Sequence, residues 1–148
     1  MKIDDALSGL SMIGIDTSPF IYFVERNPQY LSVVREVFRR ITEGQFNGCT
    51  SVMTLTEVLV VPFRESSLRI ADEYKDLLFN GINFQTFPIT SLIAETAARI
   101  RADHNLRTPD ALQIATALEN NCEAFLCNDK NLRRVTDLRI IILGELEL

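Results

Sequence analysis

The sequence predicts an α/β fold, a three-layer α/β/α sandwich around a central, mainly parallel sheet of four to five strands. Short apolar runs of strand length alternate with longer segments of helical periodicity. These runs are continuously apolar, which is typical of strands buried on both faces of a parallel sheet. A chain of 148 residues suffices for one such domain, so we expect a single unit over 1–148, with 1–11 as an N-terminal extension.

The first half of the chain predicts two strands and four helices. Ser18 followed by Pro19 has the pattern of an N-cap and a first helical position, and Thr54 is placed to open a later helix. The segments predicted here are strand 12–15, helix 18–25, helix 29–43, strand 48–52, helix 54–62 and helix 66–80.

The second half predicts three more strands and two helices. Thr108 and Pro109 together have the pattern of a helix start, with Thr108 as the N-cap. The segments predicted here are strand 83–87, helix 90–103, a helix after Thr108, strand 124–127, one helical turn over 131–135 and strand 138–143. Strands and helices in this order imply a doubly wound sheet.

Four acidic residues follow these strands or open a helix, namely Asp16, Glu57, Asp110 and Asp129. In an open parallel sheet, ligands bind in the crevice beyond the carboxyl ends of the strands. Four carboxylates gathered there without a basic partner beside each one would repel one another. A hard divalent cation such as Mg²⁺ or Mn²⁺ takes oxygen ligands, so the pattern predicts a metal site.

Each acid also has a purely structural interpretation, which remains open at the level of sequence. Asp16 could cap a helix or a turn, and Thr54 with Glu57 has the spacing of a capping box. Asp110 falls in a first helical turn, where the macrodipole favours an acid. Asp129 could form an Asx turn. The joint placement of all four, rather than any one of them, favours the metal site.

Small hydroxyl and amide residues accompany the acids. They suit hydrogen bonding to metal-bound waters and to the carboxylates, and they are Thr17, Ser18, Thr54, Thr108 and Asn128. Basic residues near the third and fourth acids are candidates for phosphate contacts, namely Arg107, Lys130, Arg133 and Arg134, with Arg101 close by. Alternatively, these basic residues are solvated or pair with Asp103, Glu119 and Asp137.

Bulk properties exclude several classes of protein. A net charge of −5 is not that of a protein with a broad basic face for nucleic acid, so a phosphate substrate must be attracted locally. No apolar run reaches the length of a membrane span, and the N-terminus lacks a signal-peptide pattern. The three cysteines lack zinc-site spacing, and we expect reduced, buried thiols in a cytoplasmic protein.

Four segments, read together, resemble the acidic motifs of PIN domains. They are IDTSPFI at 15–21, SVMTLTEV at 51–58, TPDALQIATA at 108–117 and FLCNDKNL at 125–132. Their order and spacing match over about residues 12–143. The chain departs from the family pattern in the eleven residues before the first strand and in Pro19.

The resemblance implies a metal-dependent ribonuclease, and many compact PIN domains are VapC-type toxins. It implies that Asp16, Glu57, Asp110 and Asp129 are catalytic and hold Mg²⁺ or Mn²⁺. It also implies RNA as substrate, an antitoxin protein as partner and a homodimer. Residues 22–38 and 58–63 are apolar enough to supply an antitoxin groove, although core packing is the simpler explanation of both stretches.

Two other functions stay open. An acid after the first strand can be the nucleophile of an aspartate-based phosphatase, although such enzymes want a second Asp where this chain has Ser18. The domain could instead be a non-catalytic interaction module that retains the fold, because fold does not decide function.

Overall fold

The computed structural model, which describes residues 1–148, has one five-stranded sheet. Its strands are β1 (Met12–Ile15), β2 (Asn47–Ser51), β3 (Phe84–Phe87), β4 (Ala124–Cys127) and β5 (Arg139–Ile142). They lie in the order β3-β2-β1-β4-β5, and every neighbouring pair is parallel. The predicted parallel sheet is therefore confirmed, with the larger of the two expected strand counts.

Helices occupy the connections between the strands. They are α1 (Ile3–Leu7), α2 (Thr17–Val24), α3 (Leu31–Thr42), α4 (Val52–Arg64), α5 (Leu68–Phe79), α6 (Ser91–His104) and α7 (Thr108–Glu119). Two 3₁₀ turns, Lys130–Arg134 and Leu143–Glu145, flank β5. None of the helices combines the length and the apolar character that crossing a bilayer requires.

Two apolar clusters, one on each face of the sheet, confirm the three-layer arrangement. Side chains alternate across a strand, so Ile13 and Ile15 of β1 pack with the cluster that contains residues of α1 to α5. Phe125 and Cys127 of β4 belong to the other cluster, which contains residues of α6 and α7. The long connections thus cover both faces of the sheet, as doubly wound folds require.

The N-terminal segment is part of the core rather than an appendage. Ile3, Ala6 and Leu7 of α1 are buried in the same cluster as β1. The backbone also joins the two chain ends, because Ile3 N–H donates to Glu147 O at 2.8 Å and Glu147 N–H donates to Met1 O at 2.9 Å. Residues 1–11 therefore complete one apolar layer and hold the C-terminus.

Gly14 lets α7 lie directly on β1. A Cβ atom at this position would stand 2.7 Å from Ala117 Cβ and 3.0 Å from Phe125 Cδ1. Both distances are shorter than ordinary carbon contacts, so no larger residue fits without moving the helix. This close approach sets the distance between α7 and β1.

Three predicted helix starts are wrong, and the cause is the same in each. The N-cap of α2 is Asp16 rather than Ser18, and that of α4 is Ser51 rather than Thr54. Arg107 rather than Thr108 precedes α7. In each case the backbone becomes helical earlier in the chain than predicted, so the predicted cap lies inside the helix. Strands β1 and β4 have the predicted bounds, and the other boundaries differ from prediction by at most two residues.

Candidate functional site

Sheet order brings the four acids to one edge. Asp16 directly follows β1, which lies between β2 and β4. Glu57 lies in the second turn of α4, after β2, and Asp129 lies two residues beyond β4. Asp110 lies in the first turn of α7, a helix that packs against β1, β2 and β4. The acids therefore surround the carboxyl ends of three adjacent strands.

Asp16 experiences the charges of all three other acids. Its pKa is raised from 3.8 to about 7, chiefly because burial penalises the charged form. The charges of Asp110, Glu57 and Asp129 raise this pKa further, while the Thr17 N–H lowers it. Four residues separated by more than a hundred positions in sequence thus share one electrostatic environment.

Each carboxylate uses only one of its oxygens within the protein. The donors are Thr17 N–H to Asp16 Oδ1 at 2.9 Å, Thr17 Oγ1 to Glu57 Oε1 at 2.8 Å, Arg107 Nε to Asp110 Oδ2 at 3.1 Å and Asn131 N–H to Asp129 Oδ1 at 2.9 Å. The second oxygen of each acid is left as a possible ligand. Four such oxygens are the donor set that Mg²⁺ or Mn²⁺ prefers.

The structural interpretations of these acids have mixed outcomes. Asp16 is the N-cap of α2, and the Asp129 side chain accepts from Asn131 N–H as in an Asx turn. The capping box of Thr54 and Glu57 is wrong, because Ser51 caps α4 and Thr54 lies within the helix. Glu57 is therefore free of a helix-capping role and bonds to Thr17 instead.

The four carboxylates are not arranged around a single ion position in this structure. No three His, Cys, Asp or Glu side chains of the chain lie close enough together to hold one ion. The charges of the other three carboxylates act on Asp16, but each of the four accepts a hydrogen bond from its own local donor. These local hydrogen bonds hold each carboxylate in its present position.

A buried polar network lies beneath the acids. It joins hydroxyls of β2, α2 and α4 to one amide of α7, and its members are Thr17, Thr50, Ser51, Thr54 and Gln113. Thr17 and Thr54 were expected from sequence to lie near the acids. Gln113 was missed, although a polar residue one turn after Asp110 in an apolar helix was an available signal.

Among the remaining predicted hydroxyl and amide residues, Asn128 links three segments of the chain. The Asn128 amide donates to the Tyr22 hydroxyl at 3.1 Å and accepts from Gly144 N–H at 2.9 Å. It therefore ties the end of β4 to α2 and to the last 3₁₀ turn. Ser18 and Thr108 take no part in the buried network.

Arg107 is the basic residue most directly tied to the acids. Its guanidinium is largely exposed and donates to Asp110. That hydrogen bond raises the pKa of Arg107 above its ordinary value, and the charges of Asp129 and Glu57 raise it further. Arg107 thus lies beside Asp110 with its guanidinium exposed to solvent.

The other basic candidates pair differently from expectation. Arg133 and Lys130 both pair with Glu145, rather than with Asp103, Glu119 or Asp137. Arg101 Nε donates to Leu106 O at 2.9 Å, so it closes the loop before α7. Arg134 lies exposed in the same 3₁₀ turn as Lys130.

The three cysteines are free and buried, as the sequence predicted. Cys127 lies at the end of β4, close to the acids. Burial raises the pKa of its thiol to about 12, and the charges of Asp16, Asp129 and Asp110 also raise it. A thiol that stays protonated is a poor nucleophile.

Comparison with known families agrees with this geometry. The model of the PIN domain family matches residues 13–138, a span that includes all four acids. The chain belongs to the PIN domain family. None of the curated protein sequences matches it significantly. The family resemblance inferred from the four motifs is confirmed.

Solved structures similar to this PIN domain come from toxin–antitoxin systems. VapBC2 of Rickettsia felis, bound to a promoter DNA fragment, has a TM-score of 0.72 and 11% identity, covering 88% of this chain and 98% of that chain. A toxin–antitoxin complex of Klebsiella pneumoniae has a TM-score of 0.68 and 18% identity, covering 90% and 97%. VapC20 of Mycobacterium tuberculosis, described as a sarcin–ricin loop cleaving toxin, has a TM-score of 0.65 and 16% identity, covering 87% and 99%. At such identities the likeness shows a shared fold.

Proposed function

We propose that this PIN domain is a metal-dependent endoribonuclease that hydrolyses phosphodiester bonds of single-stranded or structured RNA as the toxin of a toxin–antitoxin pair. The observation that carries the proposal is Asp16, a carboxyl at the end of the central strand within range of three other carboxylates. Family membership and the toxin–antitoxin complexes of the same fold support it. The RNA-cleaving toxin of M. tuberculosis supports the choice of substrate.

The acids would hold the ion. Asp16 and Asp110 are the proposed direct ligands, and Asp129 would complete the site or serve a second ion. Glu57 would bind through water or orient the attacking water, and its bond to Thr17 leaves one oxygen for this task. When bound, Mg²⁺ or Mn²⁺ polarises a phosphoryl oxygen and lowers the pKa of its water.

Local cations would bring the RNA backbone to this acidic pocket. Arg107 is exposed at the rim, so its guanidinium can turn from Asp110 to a phosphate. Lys130, Arg133 and Arg134 follow Asp129 in an exposed turn and are the next candidates. Lys130 and Arg133 both pair with Glu145 and would have to leave it to reach a phosphate. A net charge of −5 leaves few phosphate contacts, so RNA affinity should depend only moderately on salt.

The test is cleavage of labelled single-stranded RNA in Mn²⁺ with and without chelator. We expect cleavage by the wild-type protein in Mn²⁺ and none with chelator or in Asp110→Asn. Asp103→Asn, an exposed acid near the end of α6, is the matched control and should remain active. Circular dichroism checks that each variant is folded.

The same experiment separates the alternatives. Full cleavage by Asp110→Asn would contradict the mechanism. Mn²⁺ binding without cleavage of any tested strand would favour the non-catalytic module. Turnover of a small phosphate ester, with a phosphoryl group trapped on Asp16, would favour the phosphatase.

We propose that an antitoxin binds a groove beside the acids. The groove has a volume of about 230 Å³ between α2, α4 and α5, and its apolar lining includes Val24, Val58, Val61 and Tyr74. Three acids also line it, namely Glu25, Glu57 and Glu65. An apolar helix with basic residues at its margin is the complementary partner, and it would cover Glu57.

Co-expression with the small protein of the neighbouring reading frame tests this partner. The wild-type chain should co-purify with it, and Val61→Arg should not, because Val61 is an exposed part of the groove. Leu92→Arg is the control, since Leu92 is equally exposed but lies on α6, in the opposite helical layer. Equal retention by both variants would exclude this groove.

Finally, we propose that the protein forms a homodimer. The family resemblance and the commonness of two-fold assemblies support this. Light scattering on the eluted protein measures it. A mass of one chain at micromolar concentration would refute it.

A further inference from the structure

Gln113 is a buried amide on the site side of α7. It is 3% exposed and lies one turn after Asp110, so the two residues share a helix face. Its neighbours Ala111 and Ile114 are wholly apolar and buried. A buried amide that lost its hydrogen bonds would destabilise the fold, so the partners of Gln113 determine its orientation.

The partners allow only one direction for each hydrogen bond. Ser51 Oγ accepts from Met53 N–H and donates its own proton to Gln113 Oε1 at 2.8 Å. The Gln113 Nε2 group then donates to Thr17 Oγ1 at 3.0 Å. Thr17 in turn donates to Glu57 Oε1 at 2.8 Å. This chain of donors ends on a carboxylate of the site.

A second branch ends beside Asp16. The other Nε2 proton of Gln113 goes to Thr54 Oγ1 at 2.7 Å. Thr50 donates to Ile15 O at 2.7 Å, so in the Thr50–Thr54 contact of 2.8 Å Thr54 is the donor. Ile15 directly precedes Asp16. One amide therefore connects the segments that carry Glu57, Asp16 and, on its own helix, Asp110.

The opposite orientation of the amide would break both branches. Thr17 and Thr54 would have to donate to the amide oxygen, which would leave Glu57 and Thr50 without their donors. The side chain of Glu57 would then lose its hydrogen bond to the protein. The amide group, rather than its volume, is what this position requires.

We propose that Gln113 is a positioning residue, which directs the Thr17 hydroxyl onto Glu57 and so holds that carboxylate at the site before a cation arrives. The inference rests on the proposed nuclease function. Residues that orient metal ligands typically change metal affinity or activity by about 10- to 100-fold when they are replaced. Gln113 would act in this way without touching substrate.

The test replaces the amide by an apolar side chain of similar length, Gln113→Met. The Mn²⁺ dissociation constant of the Gln113→Met variant, measured by calorimetry without RNA, should rise at least about tenfold relative to wild type. We expect kcat for RNA cleavage to fall by a similar factor, with KM changed less than about twofold, because no substrate contact is removed. Thr17→Val should reproduce both effects, whereas Thr17→Ser, which keeps the hydroxyl, should not. Because these two variants do not change α7, they still test the inference if Gln113→Met fails to fold.

Thr116→Val is the matched control. Thr116 is as buried as Gln113 and lies on the same helix, but its hydroxyl donates only to Leu112 O of α7 itself. Wild-type metal affinity in both Gln113→Met and Thr17→Val would overturn the inference, as would an equal loss in the control.

Crystal structures of the variants separate this inference from the proposed function. If the wild-type protein binds no Mn²⁺ and cleaves no RNA, the nuclease proposal fails by itself. The position of Glu57 then decides the role of Gln113: displacement from Thr17 in Gln113→Met supports it, and an unmoved carboxylate overturns it.

Discussion

Asp16 has two roles that one side chain can serve together. One oxygen caps α2 by accepting from Thr17 N–H, and the other accepts no hydrogen bond within the protein and is the proposed metal ligand. Asp is a favoured N-cap, so the sequence pattern alone is compatible with a structural residue. The charges of three other acids on this carboxyl distinguish it from an ordinary cap.

The raised pKa of Asp16 makes stability depend on pH. The folded protein holds this proton up to about pH 7, whereas the unfolded chain releases it near 3.8. The resulting stabilisation is complete below the lower value and is lost as pH rises to about 7. Asp16→Asn removes this dependence and keeps an amide that can cap α2.

We therefore expect the stability of the metal-free Asp16→Asn variant relative to wild type to increase between pH 4 and pH 8, by about 4 kcal/mol. Urea unfolding in chelator at both pH values measures this difference. Asp5→Asn, an exposed acid of α1, serves as the control. An unchanged difference between Asp16→Asn and wild type across this range would be incompatible with the burial of Asp16.

At the scale of elements, α7 is the part of the fold that assembles the site. It carries Asp110 in its first turn and Gln113 in its second. Its distance from β1 depends on Gly14, where the helix residue Ala117 leaves no room for a side chain. The sequence shows an apolar run with a glycine in it, but not which helix lies against that glycine.

Gly14→Ala should move α7 away from the sheet. A new Cβ at 2.7 Å from Ala117 must displace helix backbone, so we expect a loss of about 1 to 3 kcal/mol in the free energy of unfolding. Mn²⁺ affinity should fall as well, because Asp110 moves with the helix.

Gly48→Ala is the comparison for this variant. Its Cβ would meet the flexible end of Ile41 and the ring of Phe84, on the opposite side of the sheet from α7. Stability should fall, but metal affinity should not. Equal effects of both substitutions on metal affinity would show that the position of α7 is not what matters.

At the scale of the whole molecule, the four acids lower the free energy of unfolding of the metal-free protein. Four carboxylates at the ends of three adjacent strands repel one another, and Arg107 offsets this only at the rim. A divalent cation that binds the folded state alone stabilises it by mass action.

Millimolar Mn²⁺ should therefore raise the melting temperature by about 3 °C or more at pH 8. Differential scanning fluorimetry measures the shift. Asp110→Asn should show little or none of it, whereas Asp103→Asn should match wild type. Absence of a shift in wild type would count against the metal site.

Much of the fold of this PIN domain can be predicted from local sequence patterns. Apolar runs and helical periodicity identify the five strands and the main helices, because burial on a given face repeats with a fixed period. The four acids stand out because each follows a strand or opens a helix. Helix starts are less certain: Ser51 and Thr54 are both good caps, and only the backbone path selects between them.

The tertiary structure decided what depends on contacts between distant segments. Local patterns do not state that β1 lies between β2 and β4, which is what places Asp16, Glu57 and Asp129 together. Nor do they connect Gln113 to Thr17, a pair 96 residues apart. Periodicity reports which face of an element is buried, whereas the partner buried against it is set by the packing of the whole chain.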